Sequence, residues 1–142
     1  MKKQLKKQQG ATLISWIIGI GVGILLVSGG VKIAPHYIEY HSVKSFMNGI
    51  AAEPGINKRN KREIMSRVEK YLNVNSMEGL SKAYYDSRGG RPGVEKPFKL
   101  IKLKKGNKRQ LAVNYKVEAP WLGNLAFLMD YEYQVELGKN KQ

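Results

Sequence analysis

Ala11-Thr12-Leu13-Ile14-Ser15-Trp16-Ile17-Ile18-Gly19-Ile20-Gly21-Val22-Gly23-Ile24-Leu25-Leu26-Val27-Ser28-Gly29-Gly30-Val31 carries no charge across 21 residues. As a helix rising ~1.5 Å per residue the run is about 32 Å long, matching the ~30 Å hydrocarbon core of a bilayer. Orientation follows from the near flanks. Lys2, Lys3, Lys6 and Lys7 precede the run, whereas residues 32–51 hold only Lys32, Lys44 and Glu39. The positive-inside rule counts these flanks and places the N-terminus in the cytoplasm. Lys32 can snorkel to the outer interface, where Tyr37 and Tyr40 would form an aromatic belt. Val27, Ser28 and Gly29 could suit a signal peptidase, but the apolar core exceeds the 7–15 residues of an ordinary signal. The predicted organisation is a cytoplasmic basic tail (residues 1–10), a transmembrane helix (11–34) and an extracytoplasmic basic domain (35–142).

Inside the run, Ala11, Ser15, Gly19 and Gly23 recur every fourth residue and share one helical face. Gly19 and Gly23 form a GxxxG pair, which lets a second helix approach closely and pack by dispersion. This face is a predicted contact with another membrane protein.

Outward from the run, the remainder offers room for one small domain. The formal charge of the whole chain is +14. Beyond Lys32, 20 Lys and Arg stand against 11 acids, a net of +9. Such a domain is drawn to anionic lipid or an envelope polymer, or simply carries a well-solvated surface. With no cysteine, a disulfide framework, a thiolate metal site and a cysteine nucleophile are all excluded.

Pro35 predicts an end or a kink of the membrane helix. Tyr40, Val43, Met47 and Ile50 then recur at spacings of three and four, an amphipathic extension reaching Glu53-Pro54-Gly55. Asn60 with Glu63 reads as a capping box opening a second helix over residues 61–72, with Ile64, Val68 and Leu72 as its stripe. Gly89, Gly90, Pro92, Gly93 and Pro97 make residues 87–97 a loop. A charged strand over 98–104 follows, then a turn at Lys105-Gly106-Asn107-Lys108. Leu111, Val113, Tyr115 and Val117 alternate with polar residues, as do Leu125, Phe127, Met129, Tyr131, Tyr133 and Val135, with a turn at residues 120–124 between them. The fold class is α+β: one N-terminal transmembrane helix plus helices on a two- to three-stranded antiparallel meander, with the 61–72 helix as its cover.

Catalytic chemistry is hard to build from this set. His36 and His41 lie five apart, about 140° away from each other around a helix, and cannot share a metal. No HExxH, GxSxG or Walker pattern occurs, and Asp130, Glu132 and Glu136 fall on the polar face of a strand. The chain is read as non-enzymatic, without metal or cofactor. Lys58, Arg59, Lys61, Arg62 and Lys102, Lys104, Lys105, Lys108, Arg109 form two basic clusters that could meet phosphates, with Tyr84 and Tyr85 able to stack bases. Outside the cytoplasm anionic lipid is the more available partner; nucleic acid and small-molecule substrates are not expected.

Two resemblances add to this. Lys6-Lys7-Gln8-Gln9-Gly10-Ala11-Thr12-Leu13-Ile14 resembles the leader of type IV prepilins and pseudopilins, which is cut after its Gly, here Gly10. The family's Glu at the fifth mature position falls at Ser15, and the mid-helix proline is absent. This resemblance implies a minor pilin-like subunit of a pilus or a type II secretion-like machine. The order of the pieces also resembles the proteobacterial domain-of-unknown-function family 4845 over nearly the whole chain. That resemblance rests on Lys32-Ile33-Ala34-Pro35-His36-Tyr37-Ile38-Glu39-Tyr40 and on Val113-Asn114-Tyr115-Lys116-Val117 leading to Pro120-Trp121-Leu122-Gly123-Asn124. It implies an inner-membrane protein of a Gram-negative bacterium, and brings no activity and no catalytic residues.

Overall fold

The computed structural model describes residues 9–74, 77–90, 92–104 and 106–138. Helix α1 (Gln9–Ala51) runs for 43 residues, about 64 Å at 1.5 Å per residue. Its N-terminal part is bare. Leu13, Ile14, Trp16, Ile17, Ile18, Ile20, Leu26 and Val27 are all more than half exposed. The last turns are the reverse, with Val43, Met47 and Ile50 fully buried. One helix therefore serves two environments, and it alone among the described residues is long and apolar enough to cross a membrane.

Pro35 does not end the helix: α1 passes through it. A mid-helix proline leaves the carbonyl four residues earlier without its donor. That carbonyl belongs to Val31, a residue 66% exposed at the polar end of the apolar run, where water or a headgroup can bond it.

After a 3-10 turn (Ile56–Lys58), helix α2 (Lys61–Val74) buries Ile64, Val68 and Leu72, the predicted stripe. Helix α3 (Glu78–Arg88) was not expected from the sequence; it buries Leu80 and occupies part of the stretch read as loop. The sheet is β1 (Phe98–Lys102), β2 (Arg109–Leu122) and β3 (Leu125–Glu136) in the order β1-β2-β3, antiparallel throughout. The register pairs Phe98 with Val113 across β1–β2, and Tyr115 with Tyr131 across β2–β3. The fold class is thus α+β, with a third helix and three strands.

Strand β2 outlasts its β1 partner. It runs through Pro120 and Trp121, which the sequence suggested were turn. The actual turn is Gly123-Asn124, where Gly123 has φ 52°; glycine at the first position of a two-residue hairpin supplies that conformation without strain. Pro120 is tolerated because the β1 side of β2 is an open edge there, with no ladder bond to lose.

The cover of the sheet differs from the expectation. Helix α1 lies directly on β2 and β3 and α3 on β2, and α2 packs behind them on α1 and α3. All three contribute to one core, in which Val43, Met47, Ile64, Val68, Leu80, Leu111, Val113 and Val117 meet. The β2–β3 hairpin follows α1 along its length. At one end the Gly138 amide donates to the Ala51 carbonyl and Tyr133 Oη donates to Asn48 Oδ1 at 3.0 Å. In the middle Tyr40 stacks on Tyr131 at 4.8 Å and donates to the Glu132 carbonyl. At the other end Trp121 Nε1 donates to Ser28 Oγ at 3.0 Å, and Phe127 lies against Gly29.

Candidate functional site

Where α1 crosses β2, a carboxylate is buried. Glu39 is 8% exposed, the one charged side chain among the buried described residues. It sits on the face that goes on to bury Val43, Met47 and Ile50, one helical turn before Val43. Its Oε1 accepts from the Leu80 amide at 2.8 Å and its Oε2 from the Gly79 amide at 3.3 Å. Those amides belong to the first turn of α3, whose N-cap residue Met77 has no side chain able to cap. A helix start leaves its first amides without intrahelical acceptors and carries partial positive charge. Glu39 supplies both the acceptor and the negative charge from a different helix.

The approach has a steric condition at Gly79. A Cβ there would lie 2.7 Å from Val117 Cγ2 and 3.2–3.3 Å from both Glu39 oxygens. Only a residue without Cβ lets α3 come this close to α1 and β2 together.

Three further polar groups surround the carboxylate. His36 Nδ1 stands 3.8 Å from Glu39 Oε2, too far for a hydrogen bond, and is buried without a partner. Tyr115 Oη is likewise buried and unpartnered. Burial first, and then the Glu39 charge, pushes the Tyr115 hydroxyl far above its ordinary pKa. Tyr131, in ring contact with Tyr115 at 5.4 Å, is raised by the same two causes in the same order. Beside this cluster lies an open groove of about 720 Å³ between α3, residues 93–95 and the free edge of β2. Its rim mixes signs: Lys82, Lys116, Asp86, Glu95, Glu118 and Asp130.

Residues 32–86 match the model of a domain of unknown function, DUF4845. The matched stretch holds both sides of the helix clamp, Glu39 with His36 on α1 and Gly79 with Leu80 on α3. It leaves out the apolar run and the β2–β3 hairpin, so the likeness is narrower than the nearly complete coverage the motifs suggested. No curated protein and no solved structure matches the chain. The DUF4845 stretch is therefore best understood through its own packing: it carries α1 out of the apolar run and locks α3 onto it.

The residues singled out in the sequence lie elsewhere. Around Gly19 and Gly23 nothing comes within 4 Å of where a Cβ would stand, so this face is open. Ser15, Trp16, Gly19 and Ile20 line a shallow depression of about 420 Å³ on it. Gly10 lies in the first turn of α1, and the side chain of Ala11 is outside the described residues. Of the two basic clusters, Lys105 also falls outside them.

The fold joins the two basic clusters through Arg109. Its guanidinium donates to the carbonyls of Ile56 (3.2 Å), Asn57 and Arg59 (2.8 Å). Lys58, Arg62, Lys102 and Lys104 stay exposed around this junction, while Lys108 pairs with Glu136 at 2.8 Å. The junction sits by the Ala51 end of α1. From Val31 to there α1 rises about 30 Å, several times the ~8 Å Debye length at physiological salt.

Glu39, Gly79 and Tyr115 were not recognised as a cluster from the sequence. One signal was present: an acid on the apolar stripe of a helix, which calls for a buried partner.

Proposed function

We propose that this protein is a non-enzymatic, single-pass inner-membrane protein of the cell envelope. Its N-terminus is cytoplasmic, and its basic periplasmic domain is held at a fixed height for interaction with another envelope component. One observation carries this reading. The apolar run and the domain core are parts of one unbroken helix, to which the Glu39 clamp and the hairpin bind the rest of the fold. A domain on a flexible linker would sample all heights; this one is a stalk. The positive flank before the run supports the orientation.

The same height argues about the partner. The Arg109 junction stands too far out for the anchoring bilayer to attract it, so its ligand is an acidic protein surface or a polyanionic envelope polymer. The open space at Gly19 and Gly23 supports a second contact within the membrane, with the helix of another protein. Non-enzymatic action is favoured by how the one buried carboxylate is used: both of its oxygens already accept backbone amides.

Because the chain lacks cysteine, single reporters test the topology cleanly. In intact cells Lys58→Cys is expected to react with a membrane-impermeant maleimide, and Lys3→Cys only after lysis. The opposite pattern overturns the orientation. For the partner, crosslinked complexes are compared between wild type and a variant with Lys58, Arg62, Lys102 and Lys104 changed to Glu. A complex lost in that variant and in high salt is expected; complexes indifferent to both refute the electrostatic contact. Complexes unchanged by Gly19→Leu with Gly23→Leu refute the helix contact.

A further inference from the structure

We infer that the tip of the β2–β3 hairpin is a lipid-contacting element, seated in the outer headgroup–acyl boundary beside α1. This rests on the reading of α1 as a membrane anchor and adds a second membrane contact to it.

The first observation is where the tip touches. Trp121 bonds Ser28, and Phe127 covers Gly29. Both helix residues lie within the uncharged run, three and two residues before Val31. On neighbouring turns Leu25, Leu26 and Val27 are 44%, 73% and 67% exposed. Whatever covers those side chains at that height also meets the hairpin seated on Ser28 and Gly29.

A second, independent observation is the composition of the tip. No charged residue falls between Glu118 and Asp130, in a chain where a quarter of all residues are charged. Further up the hairpin the outer face is polar, with Asn114, Lys116, Glu118, Asp130, Glu132 and Gln134. At the tip it turns apolar as well. Leu122, Leu125 and Leu128 are 48%, 62% and 69% exposed. Water would be a poor solvent for such a cluster.

The heights agree. Glu118 and its partner Leu128 lie three residues up the strand from Trp121, roughly 10 Å. The same rise along α1 is about seven residues, which leads from Ser28 to the neighbourhood of Pro35, just past Lys32. Helix and hairpin therefore become charged at nearly the same level. Depth is limited from the other side by the Gly123-Asn124 turn, whose backbone groups need polar partners and are not stable in hydrocarbon. Trp121 then sits in the zone that tryptophan favours. The outer edge of the hydrocarbon core falls near Ser28, several residues before the Ala34 boundary expected from the sequence.

The chain has two tryptophans, Trp16 and Trp121, and each can be made the only one. Trp16→Phe and Trp121→Phe full-length proteins are reconstituted in phosphatidylcholine–phosphatidylglycerol vesicles with bromine at shallow or deep acyl positions. In the Trp16→Phe protein, Trp121 emission is expected to fall more with shallow than with deep bromine, and to resist acrylamide. Adding Leu122→Asn, Leu125→Asn and Leu128→Asn should weaken the bromine quenching. If Trp121 is quenched by acrylamide and not by bromolipid, the tip is in water and the inference fails. If neither agent reaches Trp121, a protein surface or a second copy covers the tip, which also overturns it. Trp16, read in the Trp121→Phe protein, reports on the anchor itself. Quenching of Trp16 without quenching of Trp121 defeats the hairpin inference alone; loss of both defeats the anchor reading.

Discussion

Removing the Glu39 carboxylate should release helix α3. In Glu39→Ala the Leu80 amide, buried and bonded at 2.8 Å, loses its acceptor. Leaving a buried donor unsatisfied costs about 1–3 kcal/mol. The Gly79 amide, only partly buried and bonded at 3.3 Å, can recover a water and contributes less. Loss of the charge facing the α3 N-terminus adds about 0.3–1 kcal/mol. The expected total is about 2–4 kcal/mol, a large share of the ~5–15 kcal/mol that stabilises a typical domain. Glu39→Gln keeps one carbonyl for Leu80 but turns an NH₂ toward the Gly79 amide, so it should fall between wild type and Ala. The assay is urea unfolding of the full chain in detergent, paired with hydrogen exchange of peptides covering Glu78–Arg88. Exchange should accelerate in α3 first, while strands β2 and β3 keep their protection. If Glu39→Ala unfolds within about 0.5 kcal/mol of wild type and α3 exchange is unchanged, the clamp is not what holds α3, and the reasoning fails.

Other outcomes follow from the same packing. Gly79→Ala forces a Cβ to 2.7 Å from Val117 Cγ2, and should cost about 1–3 kcal/mol in the same unfolding assay. Arg109→Ala leaves the carbonyls of Ile56, Asn57 and Arg59 without their shared donor, so faster exchange in residues 56–59 is expected, with a loss of about 1–3 kcal/mol. Tyr115 and Tyr131 have raised pKa values and Tyr84, by burial and its bond to Glu69, is pushed up to about 12. The folded state thus keeps protons that the unfolded chain releases near pH 10. Stability is full below pH 10 and declines above it, and a pH series of unfolding midpoints with Tyr115→Phe should show a shallower decline. With Ser15 in place of the Glu of prepilin leaders, the mass of the purified protein is expected to show no cut after Gly10; a chain starting at Ala11 would revive the pilin-like reading.

Elements governed by local periodicity were legible in the sequence, and those governed by distant partners were not. The last strand is legible because side chains alternate cleanly from Leu125 to Val135, and β3 spans Leu125–Glu136. The stripes Val43-Met47-Ile50 and Ile64-Val68-Leu72 were legible for the same reason. Helix α3 was missed because its start signal is not local: Met77 cannot cap, and the capping carboxylate lies on α1. Pro120 was read as turn because nothing in the sequence announced that β1 would end early and leave its edge free. The two basic clusters were visible as charge, but Arg109's use as a bracket beneath the 56–59 backbone, and the distance of the junction from the bilayer, came only with the fold.

Pro35 and Glu39 together show why one helix can do both jobs. Pro35 lacks an amide, so the cheapest height for it is one where the freed Val31 carbonyl meets water or headgroups rather than hydrocarbon. One turn further, Glu39 cannot lie in hydrocarbon at all without a partner, and finds its partner in the α3 amides. Proline therefore favours a polar interface, and the carboxylate requires a folded domain directly above it. Between Gly29 and Glu39 the chain has no freedom to place either boundary elsewhere. The hairpin reinforces this from outside, since the strands that bring Trp121 to Ser28 also stack Tyr131 on Tyr40. Lengthening α1 by two residues between Lys32 and Pro35 would rotate the Glu39 face by about 200° relative to the Ser28 face. Clamp and tip could then no longer be satisfied together, whereas an insertion of seven residues would restore the facing while lifting the hairpin about 10 Å off Ser28. Measured on the Trp16→Phe background, Trp121 emission should be red-shifted in the seven-residue insertion, and in the two-residue insertion only where the tip lets go of Ser28. Fast α3 exchange is expected only in the two-residue insertion if the hairpin stays on Ser28 and the clamp yields; equal α3 protection in both would mean that the clamp prevails and the tip contact is the weaker of the two.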